Sequence, residues 1–282
     1  MSAGRLVAID GHNLLFRMFY GVPAKVYSRD GKLISGVIGF IGAVLRYIRS
    51  FQPEYALVVF DSEKPCGRVN AYEGYKSTRR SDFGNCADEE NPFSQLAYTK
   101  DALDILGVRY CEIDGCEADD VMASYACLQG DLHVYIVSAD SDLLQLVKEN
   151  VTVYVERGKK GVLYDKEKVR EKYGIWPESM VDYKALVGDR SDSIPGIPGI
   201  GHKTAVKLIE TYGGIDRLKE AVLPVALGEK IKNNLALLEA NRSLIRLYGQ
   251  AGLALPLDAL KIDCKAYADK RTMGVLRDGK II

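Results

Sequence analysis

An excess of charge of either sign is missing from this sequence. Lys and Arg together number 38, and so do Asp and Glu, which gives a formal net charge of zero. A chain that attracts a polyanion over its whole surface carries an excess of basic residues. Any surface of this chain that binds nucleic acid must therefore be local.

Paired cysteines and long apolar runs are also missing. The six cysteines contain no Cys-x-x-Cys pair and no spacing suited to zinc, so we interpret them as reduced thiols of a cytoplasmic protein. No apolar run approaches the roughly 20 residues of a membrane-spanning helix, and we expect no membrane partner. The 282 residues, 47% of them hydrophobic, suffice for one large α/β domain with a small helical appendix.

Strand-like and helix-like segments alternate along the first part of the chain. Four short runs rich in β-branched residues predict strands, at 5–9, 55–60, 108–112 and 133–138. Helical spacing predicts helices between them, including one over 35–50 with Ser35 as its cap. This alternation is typical of a mostly parallel sheet covered by helices on both faces, so we expect an α/β fold.

The second part of the chain has a different pattern. Residues 151–164 predict a β-hairpin, after which the chain becomes helical, with a boundary near Gly174. One long helix is predicted over 229–248. Three shorter helices are predicted before it, at 166–173, 178–187 and 204–212.

Acidic residues follow the predicted strands. Sites in parallel sheets lie beyond the carboxyl ends of the strands, so one topology rule brings seven acids together: Asp10, Asp61, Glu117, Asp119, Asp120, Asp140 and Asp142. A single Asp in this position is more often a turn residue that bonds to nearby backbone. Seven acids together favour a shared site.

Three of these acids open one predicted helix, within Gly115-Cys116-Glu117-Ala118-Asp119-Asp120. The helix dipole favours carboxylates in a first turn, which accounts for one or two of them. Three like charges in one turn raise each other's pKa unless a cation intervenes. The sequence shows no catalytic Ser/His or Cys/His arrangement, so the acids indicate hard cations such as Mg²⁺. Two such ions about 4 Å apart suit phosphodiester hydrolysis.

A glycine turn at Gly199-Ile200-Gly201 precedes the helix that begins at Thr204. Glycines let backbone N–H groups approach a phosphate closely, and Lys203 and the helix N-terminus add positive potential. Such a contact binds the nucleic-acid backbone without reading its sequence. A helix-turn-helix corner that needs glycine for its geometry alone explains the turn equally well.

Cations and aromatic rings alternate in a third segment, at Arg68, Tyr72, Tyr75, Lys76, Arg79 and Arg80. This mixture suits single-stranded nucleic acid, whose bases stack and whose phosphates pair with cations. A solvated basic helix face has the same composition.

With these three clusters, the chain resembles the 5′→3′ exonuclease and flap endonuclease family, in particular the N-terminal 5′ nuclease domain of bacterial DNA polymerase I. The resemblance covers roughly residues 5 to 250. It rests on six stretches in the family's order: Ile9-Asp10-Gly11, Val59-Phe60-Asp61, Tyr75 to Arg79, Gly115 to Asp120, Ser138 to Asp142, and Gly188 to Gly196 leading into Gly199 to Ala205.

The resemblance implies roles for individual residues. One metal ion would lie among Asp10, Asp61, Glu117, Asp119 and Asp120, and a second among Asp140, Asp142, Asp189 and Asp192. The last two acids come from the resemblance alone. Arg17, Lys76 and Arg79 match basic residues that engage the scissile region. The glycine turn matches a helix-three-turn-helix element that binds duplex DNA and in several members also holds K⁺.

The resemblance also implies the domain organisation. A PIN-like 5′ nuclease core would span 1–174 and include a helical arch at about 64–95. A helix-three-turn-helix region would span 175–265, followed by a tail at 266–282. Two departures stand out: Ser193 replaces the family's usual Asn, and the arch is several residues longer and acidic at Asp88-Glu89-Glu90. With no polymerase or proofreading segment following, a stand-alone member is expected.

The activity implied is that of a monomeric, Mg²⁺- or Mn²⁺-dependent, structure-specific 5′ nuclease in DNA replication and repair. Its expected substrates are 5′-flap, gapped and nicked duplexes, including RNA-primed 5′ ends. A non-catalytic DNA-junction binder is one alternative. The presence of all nine acids argues against it. A single-strand RNA nuclease of the PIN class is another, and the turn from Gly199 to Lys203 argues against it.

Overall fold

The structure is a computed structural model that describes residues 4–62, 64, 91–128, 131–157 and 160–281. The basic and aromatic cluster between Arg68 and Arg80 and the acidic stretch at 88–90 lie outside the described residues. Among those described, no helix is both long and apolar enough to cross a membrane.

A six-stranded sheet forms the centre of the molecule, with strand order β3-β2-β1-β4-β5-β6. Its strands are β1 (Gly4–Asp10), β2 (Tyr55–Phe60), β3 (Arg109–Glu112), β4 (Leu132–Val137), β5 (Val151–Arg157) and β6 (Lys160–Tyr164). The first five are parallel, and β6 pairs antiparallel with β5. The predicted mostly parallel sheet and the hairpin are confirmed.

Both faces of the sheet are covered, which explains why its strands are apolar rather than alternating. Leu6 and Ala8 of β1 pack into one core, and Val7 and Ile9 pack into the other. Among the described residues, this half contains the helices α1 (Gly11–Gly21), α2 (Ser35–Phe51), α3 (Leu96–Leu106) and α4 (Ala118–Ala126). Because β1, β2 and β4 are parallel, their carboxyl ends lie at one edge of the sheet. This carboxyl rim comprises Asp10 at the end of β1 and the residues that directly follow β2 and β4.

The chain after β6 is mainly helical. It contains α5 (Lys166–Tyr173), α6 (Met180–Val187), α7 (His202–Tyr212), α8 (Ile215–Glu220), α9 (Val225–Asn233), α10 (Leu235–Ile245) and α11 (Thr272–Asp278). A short antiparallel hairpin, β7 (Gly188–Asp189) and β8 (Ile194–Pro195), follows α6 directly. Single 3₁₀ turns occur at Pro92–Gln95, Asp142–Leu146, Pro177–Ser179, Leu257–Leu260 and Cys264–Tyr267.

Two predictions about helices are wrong. The long helix over 229–248 is two helices, because Asn234 leaves the helical conformation at φ −116° and its side chain donates to the Lys230 carbonyl at 2.8 Å. Ser35 does not cap α2 either. Its hydroxyl donates to the Ala24 carbonyl at 2.6 Å and accepts from the Val26 N–H, so it fixes the preceding loop instead.

Candidate metal centre

Asp10 ends β1 and caps α1 at the carboxyl rim. One carboxylate oxygen accepts from the Asn13 N–H at 3.0 Å, and the other accepts from the Ser138 hydroxyl at 2.8 Å. The side chain is almost fully buried. Burial, followed by the charges of Asp61 and then Asp140, raises the pKa of Asp10 to about 7. Asp61 and Asp140 are thus each close enough to Asp10 to repel its charge.

Asp61 follows β2 and joins the rim to the acidic helix. Its Oδ1 accepts from the Ala118 N–H at 2.8 Å, so the carboxylate lies at the N-terminus of α4. Glu117 precedes that helix, and Asp119 and Asp120 lie in its first turn. The Asp61 N–H donates to Nδ1 of His12 at 3.0 Å. His12 therefore has a structural role, because this bond holds the loop after β2.

Ser138, directly after β4, connects the two predicted acid groups. Its hydroxyl donates to Asp10, and its Oγ accepts from the Asp140 N–H at 3.0 Å. Asp140 in turn accepts from the Asp142 N–H at 2.8 Å, which sets the start of the 3₁₀ turn at Asp142–Leu146. The residues after β1 and β4 are therefore fixed relative to each other by side-chain hydrogen bonds.

Lys184 of α6 is a buried cation between Asp142 and Asp189, and its ammonium donates to both carboxylates. Burial opposes ionisation of Asp189, but the Lys184 charge and hydrogen bonds from Lys184 and Ser191 together lower its pKa. Sequence reasoning missed Lys184. The available signal was a lysine among the apolar residues of the helix that leads into Gly188-Asp189.

The hairpin β7–β8 carries Asp189 and Asp192 and depends on a glycine. Gly188 has φ +83°, and a Cβ atom there would lie 2.4 Å from the Gly196 nitrogen, so no other residue fits. Asp192 is 3% exposed in the turn of this hairpin. The resemblance identified both acids, and the hairpin brings Asp189 to Asp142 through Lys184.

Ser193 has φ +59°, a left-handed conformation that Asn adopts more readily than Ser. Ser193→Asn should therefore stabilise the protein by about 0.5–1 kcal/mol, a rise in melting temperature of about 1–4 °C. Calorimetry would measure it. Ser243→Asn, on the exposed face of α10, is the matched control and should give no rise. Equal or lower stability of Ser193→Asn would contradict the strain argument.

The donor chemistry of the rim fits a divalent cation, but its side chains are not gathered into a finished metal site. Among the residues described, no group of three or more His, Cys, Asp or Glu side chains could hold an ion as placed. The Asn13 N–H and the Ser138 hydroxyl donate to Asp10, and the Lys184 ammonium donates to Asp142 and Asp189. Burial, and then the charges of Asp61 and Asp140, raise the pKa of Asp10, and a bound cation would favour its ionised form.

Arg17 belongs to a cluster at the end of β5. Its guanidinium donates to the Glu156 carboxylate at 3.0 Å and to the Tyr47 hydroxyl. Glu156 also accepts from Arg46 and from Tyr47. Burial, and then the hydrogen bond to Glu156, raise the pKa of Tyr47 to about 12. A role for Arg17 at the scissile region stays a prediction, as do those of Lys76 and Arg79.

The glycine turn lies at the N-terminus of α7 with its polar groups exposed. Gly199 has φ +76°, Gly201 is the N-cap of α7, and both glycines, Lys203 and Thr204 are exposed. A Cβ atom on Gly199 would lie 2.8 Å from Nζ of Lys230, so α9 brings a second lysine to the turn. Sequence reasoning missed Lys230, because its helix is distant in sequence.

Together the fold, the carboxyl rim and the sequence relationships define an α/β nuclease. The chain belongs to the 5′-3′ exonuclease family: the profile of its N-terminal resolvase-like domain matches residues 5–174, and that of its C-terminal SAM fold matches residues 175–268. The predicted family and fold class are confirmed.

Individual proteins resemble this chain in sequence or in fold. The thermostable DNA polymerase I of Thermus thermophilus is 38% identical over 249 residues, which are 86% of this chain and 29% of that protein. The chain thus spans less than a third of the length of this relative. The structure of the T5 D15 protein co-crystallized with metal ions has a TM-score of 0.72 at 24% identity, over 98% of this chain and 99% of that one. The bacteriophage T5 D15 flap endonuclease in complex with DNA and metal ions has a TM-score of 0.69 at 24% identity, over 98% and 97%. These two likenesses show the fold.

Proposed function

We propose that this chain is a structure-specific 5′→3′ exonuclease and flap endonuclease that hydrolyses DNA phosphodiesters with two divalent ions. The observation that carries the proposal is the carboxyl rim, where Asp10, Asp61 and Asp140 interact and where α4 begins with its acids. The solved T5 flap endonuclease complex, which contains DNA and metal ions, supports the same reading by its fold.

In this proposal the chain's own residues prepare the carboxylates. Asp10, Asp61, Glu117, Asp119 and Asp120 would hold one ion, and Asp140, Asp142, Asp189 and Asp192 the other. When bound, such ions activate a water and stabilise the leaving oxygen. Ser138 and Asn13 orient Asp10, and His12 fixes the Asp61 backbone. Lys184 balances the charge of Asp142 and Asp189.

The glycine turn and its two lysines would bind the phosphates of duplex DNA. The exposed N-terminus of α7 offers backbone N–H groups, Lys203 lies in its first turn, and Lys230 adds positive charge beside Gly199. A monovalent cation such as K⁺ at this turn, and the domain limits at 174/175 and 265/266, belong to the same proposal. So do action as a monomer and activity on RNA-primed ends.

Lys203→Ala should weaken duplex binding on every sequence and lower the salt slope of binding by about one phosphate contact. The single-turnover rate at saturating DNA should change little, because Lys203 lies outside the carboxyl rim. Fluorescence anisotropy at several salt concentrations measures the affinity and its salt slope, and single-turnover cleavage measures the rate. Lys265→Ala removes an exposed lysine from the 3₁₀ turn at Cys264–Tyr267 and is the control. A large loss of saturated rate at unchanged affinity would contradict the duplex-binding role.

Lys76 and Arg79 would act near the scissile phosphate, with Arg68, Tyr72 and Tyr75 along the incoming 5′ strand. Removing one such electrostatic contact typically costs about 10²-fold in rate. Arg17 would join them from its place on Glu156.

The activity is tested by digesting 5′-labelled flap, gapped and single-stranded DNA with Mg²⁺ and with EDTA. The proposal expects Mg²⁺-dependent cleavage of flaps and gaps near the junction, in preference to single strands. Binding of junctions without cleavage would favour the non-catalytic alternative. Preferential cleavage of single-stranded RNA would favour the PIN-class alternative.

A further inference from the structure

We propose that Asn241 and Gln145 are positioning residues that hold the two loops of the second acid group in register through one turn of α10. The inference rests on the proposed function, because the acids it concerns are those assigned to the second metal ion. One loop is the 3₁₀ turn that begins at Asp142, and the other is the hairpin β7–β8 with Asp189.

Asn241 is buried in α10 and bonds to two elements at once. Its side-chain amide donates to the Ala185 carbonyl at 3.0 Å and to the Pro195 carbonyl at 2.7 Å. Ala185 lies in the last turn of α6, where carbonyls lack a partner within the helix. Both hydrogens of one amide thus join the residue after Lys184 to the strand that closes the hairpin.

Gln145 makes the corresponding connection on the other side. Its amide donates to the carbonyls of Asp142 at 2.9 Å and Ile245 at 3.0 Å, and its oxygen accepts from the Leu247 N–H at 2.9 Å. Ile245 is the last residue of α10, so its carbonyl also has no partner within the helix. Gln145 therefore bonds the loop of Asp142 to the end of α10.

The two contacts meet on a single turn of one helix. Asn241 and Ile245 are four residues apart, a rise of about 6 Å along α10. The loop of Asp142 belongs to the first family profile and the hairpin to the second, so α10 aligns acids from two halves of the chain. In the first acid group, Asp10 accepts from Asn13 and Ser138 and Asp61 accepts from Ala118, and neither amide takes part in these bonds.

Loss of either amide should therefore weaken binding of the second ion and leave the affinity for the first ion unchanged. Partners that orient metal ligands typically contribute about 10- to 100-fold in metal affinity. A general loss of stability would not select between two ions. Selective weakening of one ion is thus the expected sign of positioning.

The test uses Asn241→Leu and Gln145→Met, which keep side-chain size and remove the hydrogen bonds. Asn150→Leu is the matched control, because the Asn150 amide also donates to a backbone carbonyl, that of Leu132, but at the opposite end of the strands. Electron paramagnetic resonance of free Mn²⁺ measures the number and affinity of bound ions in each full-length protein. Hydrogen exchange measures protection of 140–146 and 188–195 without metal.

Two bound ions in the wild type, with one of them weakened about 10- to 100-fold in both variants and unchanged in the control, would support the inference. Faster exchange of 188–195 in Asn241→Leu should accompany the loss. A wild type that binds two ions, with both variants equal to it, would overturn the inference alone. A wild type that binds no Mn²⁺ would overturn the proposed function and the inference with it.

Discussion

Asp119→Ala and Asp142→Ala should each abolish nearly all cleavage of 5′-flap DNA at low-millimolar Mg²⁺. Each variant removes a carboxylate assigned to one of the two ions, and a metal ion contributes several kcal/mol to stabilising the transition state. A loss of roughly 4 kcal/mol corresponds to about 10³-fold in rate. Single-turnover cleavage at saturating enzyme isolates this effect from DNA binding.

The two variants should differ in stability. Asp119 is partly exposed in the first turn of α4, so its loss should cost little. Asp142→Ala removes one of the two carboxylates that bond to the buried Lys184 and leaves Asp189. This loss should lower the free energy of unfolding by roughly 1–3 kcal/mol. Circular dichroism should show a native fold for both.

Asp104→Ala is the control, because this exposed acid on α3 bonds to Tyr110 and is not among the nine acids assigned to the ions. It should cleave like the wild type. Near-normal turnover by either Asp119→Ala or Asp142→Ala would contradict the assignment of two ions to these acids.

Asp10→Asn should abolish cleavage and yet stabilise the metal-free protein at about pH 8. The folded-state pKa of Asp10 is about 7 against an ordinary value of 3.8, raised by burial and then by Asp61 and Asp140. Between these values the folded protein holds a proton that the unfolded chain has released. The free energy of unfolding therefore falls as the pH rises from about 4 to about 7 and then levels off.

Asn has the shape of Asp without its charge, so the variant avoids this loss. The gain at about pH 8 should be on the order of 2–4 kcal/mol and should vanish near pH 4. Mg²⁺ should stabilise the wild type more than the variant, because binding to the folded state adds stability.

Melting temperatures across this pH range provide the measurement. Asp30→Asn is the control of opposite sign, because hydrogen bonds from Ser28 and Tyr98 lower the pKa of Asp30, and its replacement should not stabilise the protein. Equal melting of Asp10→Asn and wild type at about pH 8 would show that burial and the neighbouring acids do not destabilise the ionised form of Asp10 as described.

The placement of several predicted acids at the carboxyl rim could be predicted from the sequence, because the ends of the strands can be identified in it. β2 occupies the predicted 55–60, and Asp61 follows it at the rim. Asp10 and Asp140 are near each other for the same topological reason. Asp189 and Asp192 could not be found this way, because they lie on a short hairpin of the helical part whose strands have two residues each. Only the family resemblance pointed to them.

The contacts between distant segments could not be predicted. Lys184 reads as one cation on a helix, and only its burial beside Asp142 reveals its role. Arg17 reads as a free basic residue, yet Glu156, 139 positions away, holds it. The break at Asn234 depends on a side-chain hydrogen bond that competes with the helix, which periodicity does not register.

Anomalous diffraction from crystals grown with Mn²⁺ would locate the ions without relying on activity. We expect two Mn²⁺ peaks about 4 Å apart at the carboxyl rim, one bound by the carboxylate group of Asp10 and the other beside Asp142 and Asp189. Crystals of Asp142→Ala should lose the second peak and keep the first. Mn²⁺ peaks elsewhere on the protein, with none at the rim, would show that these carboxylates do not form the metal site.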